Sequence, residues 1–286
     1  MDRKYAFCIS FSGIMVRLVL PNDAHIPQAL AAFGCQDPGY VDAEYEICLI
    51  QEPICPSTKP VGFERGADIY PTEEGWLRIY RPSRTLDGCQ VACLLCRDGK
   101  NKLYYPKDQW AHFARQFNCL HLIGVETLLL RKNAFLLHSS VVLWNGKTVL
   151  FSGPSGAGKS TQAALWEKHL GAKVINGDRC VIMKKDDGFY GGGSPWSGTS
   201  GIYHPDQAPI AGIFIVHQAQ ENRVAPMGRN AFPPLFTQTV VNSWDPEFMD
   251  RITQLFSELI GQAPIYRLDC RPDEGAVMAA LQVLQP

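Results

Sequence analysis

Residues 153–161 read Gly-Pro-Ser-Gly-Ala-Gly-Lys-Ser-Thr, which satisfies the phosphate-binding loop pattern G-x-x-x-x-G-K-[ST] through Gly153, Gly158, Lys159 and Ser160. Such a loop works only between a strand and a helix. The apolar run Thr148-Val149-Leu150-Phe151 before it predicts a buried strand, and Gln162 to Leu170 after it predicts a helix that ends at Gly171. Glycines let consecutive backbone N–H groups converge on one point, and the helix N-terminus adds unpaired donors and a partial positive charge. Gly153, Pro154, Ser155, Gly156, Ala157, Gly158, Lys159, Ser160 and Thr161 are therefore the predicted cradle for a nucleotide's phosphates. Lys159 would act on the outer phosphates as a point charge, and the Ser160 hydroxyl would ligate Mg²⁺.

The chain has 286 residues, enough for one large or two modest domains, and its 46% hydrophobic content supplies a packed core. A net charge of −1 argues against a nucleic-acid partner. No apolar run approaches the roughly 20 residues that span a bilayer, so no membrane segment is expected. Met1-Asp2-Arg3-Lys4-Tyr5 opens no secretory h-region, and ten cysteines without a disulfide-like spacing predict reduced thiols and a cytoplasmic chain. Cys89, Cys93 and Cys96 raise a zinc hypothesis. Their segment reads as a strand, however, which would turn Cys93 and Cys96 to opposite faces, and buried small hydrophobes are the simpler expectation.

Three regions differ in pattern. Residues 1–105 alternate short apolar runs with turn signals, as in Gly13 to Leu20, Tyr45 to Ile50, Trp76 to Tyr80 and Gln90 to Cys96, and predict an antiparallel β-rich module. Residues 106–133 predict a connecting helix from about Pro106 to Leu130, with Trp110, Phe113, Phe117 and Leu120 on one face. Residues 134–286 alternate strands and helices, the pattern of an α/β core. Ile210 to Val216 and Ile265 to Leu268 read as further strands. Asp245-Pro246 opens a helix that carries Phe248, Ile252, Leu255 and Leu259 and closes at Gly261, and a last helix carries Val277, Ala280 and Leu281.

Two segments flank the loop. His138 lies in Leu136-Leu137-His138-Ser139-Ser140, and Asp178 lies in Ile175-Asn176-Gly177-Asp178-Arg179. A strand-end carboxylate after the loop's helix is the expected Mg²⁺ position, and ligands gather at such strand ends in open α/β sheets. The order His138, loop, Asp178 resembles the HPr kinase/phosphorylase family and its relatives with a phosphoenolpyruvate-carboxykinase-like nucleotide fold, over about residues 135–285. The stretch Gly192-Gly193-Ser194-Pro195-Trp196-Ser197-Gly198-Thr199 is similar to a small-residue and Trp loop of HPr-kinase-like proteins from peptide-modification clusters. The resemblance implies an α/β fold (α+β overall) in which a P-loop core with a mixed sheet of the phosphoenolpyruvate-carboxykinase-like type follows the β-rich module.

It also implies a kinase that transfers the γ-phosphoryl group of ATP to a serine hydroxyl. Ser160 and Asp178 would hold Mg²⁺, Lys159 and the loop backbone would hold the phosphates, and His138 would lie near the transferring group. The family has two adjacent aspartates at this strand end, whereas this chain has Gly177-Asp178. The aspartate usually assigned as base is thus missing, and either His138 or Asp178 is left to take its part.

The acceptor is expected to be a protein or peptide, with a small hydroxyl-bearing metabolite such as a free hydroxy-amino acid as the alternative. A nucleotide-binding regulatory protein without transfer and, more remotely, a carboxykinase are the other readings. A homo-oligomer is left open. Gly191-Gly192-Gly193 before Ser194-Pro195-Trp196 reads either as a lid or as a hairpin connection. His204 reads as a surface histidine, and Arg223, Arg229 and Arg251 stand beside Arg179 as candidates for charge neutralisation.

Overall fold

Alternation of buried and exposed side chains organises both halves of the chain. The structure is a computed structural model that describes residues 3–81, 90–115 and 122–284. It divides into two units. One comprises Met1–Leu128 with the short segment Asn242–Pro246, and the other comprises Leu129–Val241 with Glu247–Pro286. Among the described residues no helix is long and apolar enough to cross a membrane.

The first unit is built on one nine-stranded sheet. Its strands are β1 (Lys4–Phe11), β2 (Ile14–Pro21), β3 (Gly34–Cys35), β4 (Ala43–Ile50), β5 (Gly62–Glu64), β6 (Ala67–Pro71), β7 (Gly75–Tyr80), β8 (Val91–Cys96) and β9 (Lys100–Pro106). The order across the sheet is β3-β1-β2-β4-β9-β8-β7-β6-β5. Strand β2 buries every second residue from Ile14 to Leu20, the period-2 pattern of a half-buried strand. Ser12 and Gly13 join β1 to β2 with φ of 52° and 76°, as a two-residue hairpin turn matched to the sheet twist requires.

The sheet is mixed, not antiparallel as the strand spacing suggests. Strand β4 runs parallel to both β2 and β9. The reason lies in the connections. Residues 22–42, which include the short helix α1 (Gln28–Ala31), carry the chain from β2 to β4, and the β5–β8 meander separates β4 from β9. Both connections are long enough for a crossover. Strand β8 buries Cys93 completely and leaves Cys96 partly exposed, while Cys89 lies outside the described residues.

The expected single helix over 106–130 is also corrected. Pro106 closes β9 instead of opening a helix. Helix α2 covers Trp110–Arg115, and α3 covers Val125–Arg131. Phe117 and Leu120 lie outside the described residues. Gly124 precedes α3 with φ of +53°, and a Cβ there would stand 2.7 Å from Leu95 Cδ1 and 2.8 Å from Arg78 Nη1. Glycine is the residue that fits this left-handed, crowded corner.

A buried ion cluster sits in this unit. Arg65 Nη2 donates to Glu126 Oε1 at 2.6 Å, Arg78 Nη2 donates to the same oxygen, and both guanidiniums donate to Asn242 Oδ1, at 2.9 and 3.0 Å. Asn242 Nδ2 donates to Thr127 Oγ1 at 3.1 Å. Burial alone would raise the Glu126 pKa; the Arg78 and Arg65 charges overcome that and hold it at about 2.

The second unit contains an eight-stranded mixed sheet system with helices on both faces. Its strands are β10 (Ala134–Trp144), β11 (Lys147–Ser152), β12 (Lys173–Asn176), β13 (Arg179–Lys185), β14 (Gly188–Gly192), β15 (Gln207–Gln218), β16 (Arg223–Pro226) and β17 (Ile265–Cys270). Its helices are α4 (Lys159–Leu170), α5 (Phe232–Phe236), α6 (Pro246–Gln262) and α7 (Glu274–Leu284). Gly261 falls inside α6 and does not cap it.

Two long strands each serve three ladders. The first half of β10, up to His138, pairs with β13; from Ser139 on it pairs with β11, and residues 141–143 also pair with β12. Strand β15 pairs with β14 at its start and runs parallel to β11 and β17 further on. Successive residues of the parallel strands point to opposite cores. Phe151, Phe214 and Val216 pack with Trp166 of α4 and Val277 of α7, while Leu150, Ile213 and Ile215 pack with Ile252, Phe256 and Leu259 of α6. Helix α6 buries Phe248, Ile252, Leu255, Phe256 and Leu259 on one stripe, each worth about 1.5–3 kcal/mol of apolar burial.

Candidate functional site

Strand β11 delivers the chain directly into the glycine-rich loop. Gly153 has φ of +144°, and a Cβ there would press against Val216 O at 3.2 Å and Ala157 Cβ at 3.3 Å. Gly158, with φ of +106°, precedes α4 without any side-chain cap. The first-turn N–H groups of α4 therefore have no partner from within the helix, and they open toward the loop. Lys159 is 7% exposed, and its Nζ donates to Gly153 O at 2.9 Å and Pro154 O at 3.1 Å. Burial pushes its pKa down, against the upward pull of Asp178. A buried ammonium held by two loop carbonyls has the chemistry to exchange them for an anion's oxygens.

His138 stands at the residue where β10 leaves β13 for β11. Ser140, two positions on, shares its face. The Ser140 and Ser160 hydroxyl oxygens lie 3.4 Å apart, and Ser140 Oγ donates to Gly177 O at 3.3 Å. The turn between β12 and β13 is pinned to β10 as well, since Ser139 N donates to Asp178 O at 2.9 Å. Strand, loop helix and turn are thereby held together at one end of the sheet, with Ser140 as the common contact.

The turn itself depends on Asn176, which is completely buried. Its Oδ1 accepts the N–H groups of Asp178 and Arg179, both at 2.8 Å. Its Nδ2 donates to Ser194 O at 2.9 Å and Trp196 O at 3.1 Å. All four hydrogen-bonding positions of the amide are thus filled. Ser194, also fully buried, donates its hydroxyl to Arg179 O at 2.6 Å. The 193–200 segment is therefore bound to the Asp178 turn, which disfavours the lid expectation. A Cβ at Gly198 would stand 2.8 Å from Asp178 Cγ, so this segment passes directly over the carboxylate.

Gly177 explains the missing aspartate. Its α-hydrogen faces Ser200, and any Cβ at position 177 would collide with that side chain. Ser200 Oγ is held in place by a 2.6 Å bond to Ser197 O. A second carboxylate has no room here as the segment is packed.

The charges are close but loosely paired. His138 Nε2 lies 3.5 Å from Asp178 Oδ1, and Arg179 Nε lies 3.5 Å from Asp178 Oδ2. His138 and Asp178 remain about one third exposed, at 36% and 27% of the side chain. The His138 pKa is pushed down by burial and by the Lys159 charge, which outweigh Asp178 and the Gln238 side chain. The imidazole is therefore neutral and basic at neutral pH. Hard oxygen donors, the Asp178 carboxylate and the Ser160 hydroxyl, flank the loop helix in the kind of set that Mg²⁺ takes together with phosphate oxygens.

Every residue expected at the site from sequence, His138, Gly153 to Thr161, Asp178 and Arg179, lies on these adjoining segments. Three others are not brought to it. Arg251 reaches Arg131 O and Asn133 Oδ1 before the start of β10, Arg229 is exposed, and Arg223 pairs in register with Asp269 on the edge strand β16. The His204 side chain is exposed, although its N–H donates to Ile175 O at 2.9 Å. Sequence reading missed Ser140, Asn176 and Gln218, whose Nε2 donates to Gly156 O at 2.7 Å and braces the loop. The period-2 relation of His138 to Ser140 was the available signal for the first. Asn176 before Gly177 carries the local signature of an ordinary turn residue.

No family model matches the sequence, and no curated protein matches it. Among solved structures, the chain is similar to the Hpr(Ser) kinase/phosphatase from Coxiella burnetii. That likeness has 9% identity and a TM-score of 0.30 and covers 52% of this chain and 92% of the other. The function proposed below draws on the residues of the site and not on this likeness.

Proposed function

We propose that this chain is a Mg²⁺- and ATP-dependent kinase that transfers the γ-phosphoryl group to a hydroxyl, with a serine of a protein or peptide as acceptor. The supporting observation is the meeting of Lys159, Ser160, His138 and Asp178 at one uncapped helix N-terminus, with the ammonium and the imidazole both shifted toward their neutral forms. Perturbed groups gathered at a loop of this kind mark a site built to meet charge.

In this reading the loop N–H groups and Lys159 take the phosphate oxygens, and Lys159 releases the Gly153 and Pro154 carbonyls to do so. Ser160 and Asp178 would hold Mg²⁺, whose positive charge would offset the charge that builds up in transfer. His138 accepts the acceptor hydroxyl's proton. The serine oxygen forms the new P–O bond, and ADP leaves as the old one breaks. Asp178 then stabilises the imidazolium, and Arg179 adds a second cation beside it. With a loose transition state, positioning and charge neutralisation outweigh base strength, so one histidine suffices in place of the absent aspartate.

The test is transfer from γ-labelled ATP to serine-bearing peptides, with free serine in parallel. Labelled peptide, lost in Asp178→Asn with the fold intact, is expected. Equal rates for parent and Asp178→Asn would contradict the metal role, and labelling of free serine alone would move the acceptor to the small-molecule class. A second reading, a nucleotide-binding regulator without transfer, draws on the blocked slot at Gly177. It predicts saturable ATP binding with no labelled product from any acceptor.

A further inference from the structure

The hydroxyl of Ser200 fills the place where a side chain at position 177 would begin: it is the first atom that a Cβ on Gly177 would meet. Gly177 is in turn tied to the loop helix. Its carbonyl accepts from Ser140 Oγ at 3.3 Å, and Ser140 Oγ lies 3.4 Å from Ser160 Oγ. Asp178 follows it in the chain, and a Cβ on Gly198 would stand 3.1 Å from Asp178 Oδ1. Ser200 is thus joined through one glycine and Ser140 to Ser160, and its own turn lies against Asp178. These are the two residues proposed to hold Mg²⁺.

The hydroxyl is presented rather than enclosed. Gly198, Thr199, Ser200 and Gly201 are all exposed. Gly198 and Gly201, with φ of +54° and +65°, make the tight turn that carries Ser200. The stem of this turn is fixed, because Asn176 Nδ2 donates to Ser194 O and Trp196 O. Ser197 and Thr199 carry hydroxyls in the same turn, but only that of Ser200 comes within 4 Å of a Cβ on Gly177. Ser200 Oγ donates to Ser197 O at 2.6 Å and accepts from Ile202 N at 3.2 Å. A hydroxyl oxygen carries two acceptor lone pairs, so one remains for a bond to phosphorus. A nucleophile held beside the reacting group turns a bimolecular step into a unimolecular one, worth an effective concentration of about 10⁵ M or more in a well-aligned geometry.

Resting on the reading of the chain as a serine kinase, we propose that Ser200 is the chain's own phosphorylation site, modified within one molecule when no other acceptor is present. Ser200 Oγ forms the bond to the γ-phosphorus, and the bond from that phosphorus to the β–γ bridging oxygen breaks. ADP leaves with the electron pair, and the hydroxyl proton passes to the His138 imidazole. The 197–201 turn then serves as a built-in acceptor, and an external serine competes with it for the same place.

The test is incubation of the full chain with Mg²⁺ and ATP and no other acceptor, followed by peptide mass spectrometry. One phosphoryl group is expected, on Ser200, at a first-order rate that does not change with protein concentration. Ser200→Ala should lower the label at least about tenfold, and Thr199→Ala should leave it unchanged. Ser200→Thr, which keeps a hydroxyl, should carry it as phosphothreonine. The parent's own label decides the matter even if a variant does not fold. Label on another residue, or a rate that rises with protein concentration, would overturn the inference. An unmodified chain that binds ATP would overturn it as well, and a serine peptide labelled by that same chain would leave the kinase reading standing. Failure of ATP to bind would remove that reading and this inference together.

Discussion

Each unit of this chain gathers arginine, acid and amide groups into a cluster, and the two clusters are built in opposite ways. In the nine-stranded unit, Glu126 is 5% exposed and meets Arg65 and Arg78 at hydrogen-bond contact, with Asn242 closing the set. In the other unit, Asp178 stands 3.5 Å from both His138 and Arg179, and a third of the histidine faces solvent. The first cluster pairs its charges at hydrogen-bond distance, with Arg78 Nε the donor left without a partner among the described residues, and it includes a strap of chain, Asn242–Pro246, that belongs to the first unit. The second leaves charges spaced and loosely paired, the arrangement that the proposed phosphate site would use. Charge density alone does not mark function; incomplete pairing beside an open helix end does.

The largest effect expected from breaking this contrast is on the closed cluster. Glu126→Leu leaves the buried Arg78 guanidinium without its carboxylate and should cost about 3–5 kcal/mol, read as a drop in the urea midpoint of the first unit. Because the Glu126 pKa is lowered on folding, its contribution is complete above pH 4.5 and is lost as pH falls toward 2. Acid unfolding of the parent in that window, absent from the variant's already reduced stability, checks the sign.

Lys159→Met should have the reverse profile. Phosphoryl transfer should fall about 10²–10³-fold, as on losing one preorganised donor to developing charge, while the urea midpoint hardly moves. Asn176→Ala lies between the two. It removes four hydrogen bonds and leaves buried partners unsatisfied, so a stability loss of about 2–3 kcal/mol is expected together with slower transfer, because the Asp178 turn loses its brace. Rescue of the fold but not of the rate in Asn176→Asp would separate the two contributions, since the aspartate keeps the acceptors and loses the donors to Ser194 and Trp196.

The smallest displacement concerns pH. The lowered His138 pKa places the acid limb of kcat/KM below pH 6.5, with full rate above it. The nucleotide's terminal phosphate titrates in the same range, so the comparison is between parent and His138→Gln. The variant should keep only the limb that belongs to the nucleotide. An unchanged profile would remove His138 from proton transfer.

The sequence made the centre of the second unit legible and hid its supports. The loop, α4 and the strand before them follow from a motif whose glycines and lysine have one common use, and His138 and Asp178 follow from their distance to it. The pairing of β10 with β13 up to His138 was not legible, because β13 is distant in sequence, whereas β11 follows β10 through a two-residue turn. The parallel course of β4 was hidden for the same reason, since local alternation fixes a strand's faces and not its neighbours. Gly124, which precedes α3 within the span expected to be one helix, is set by the crowding of Leu95 and Arg78 and not by its own helix propensity.

The most direct measurement is calorimetric titration of the intact, folded chain with ATP in the presence and absence of Mg²⁺, parent against Lys159→Met. The account predicts saturable, Mg²⁺-dependent heat in the parent and its loss in the variant at unchanged thermal stability. Heat of equal size and affinity in both proteins, or none in the parent, would contradict it.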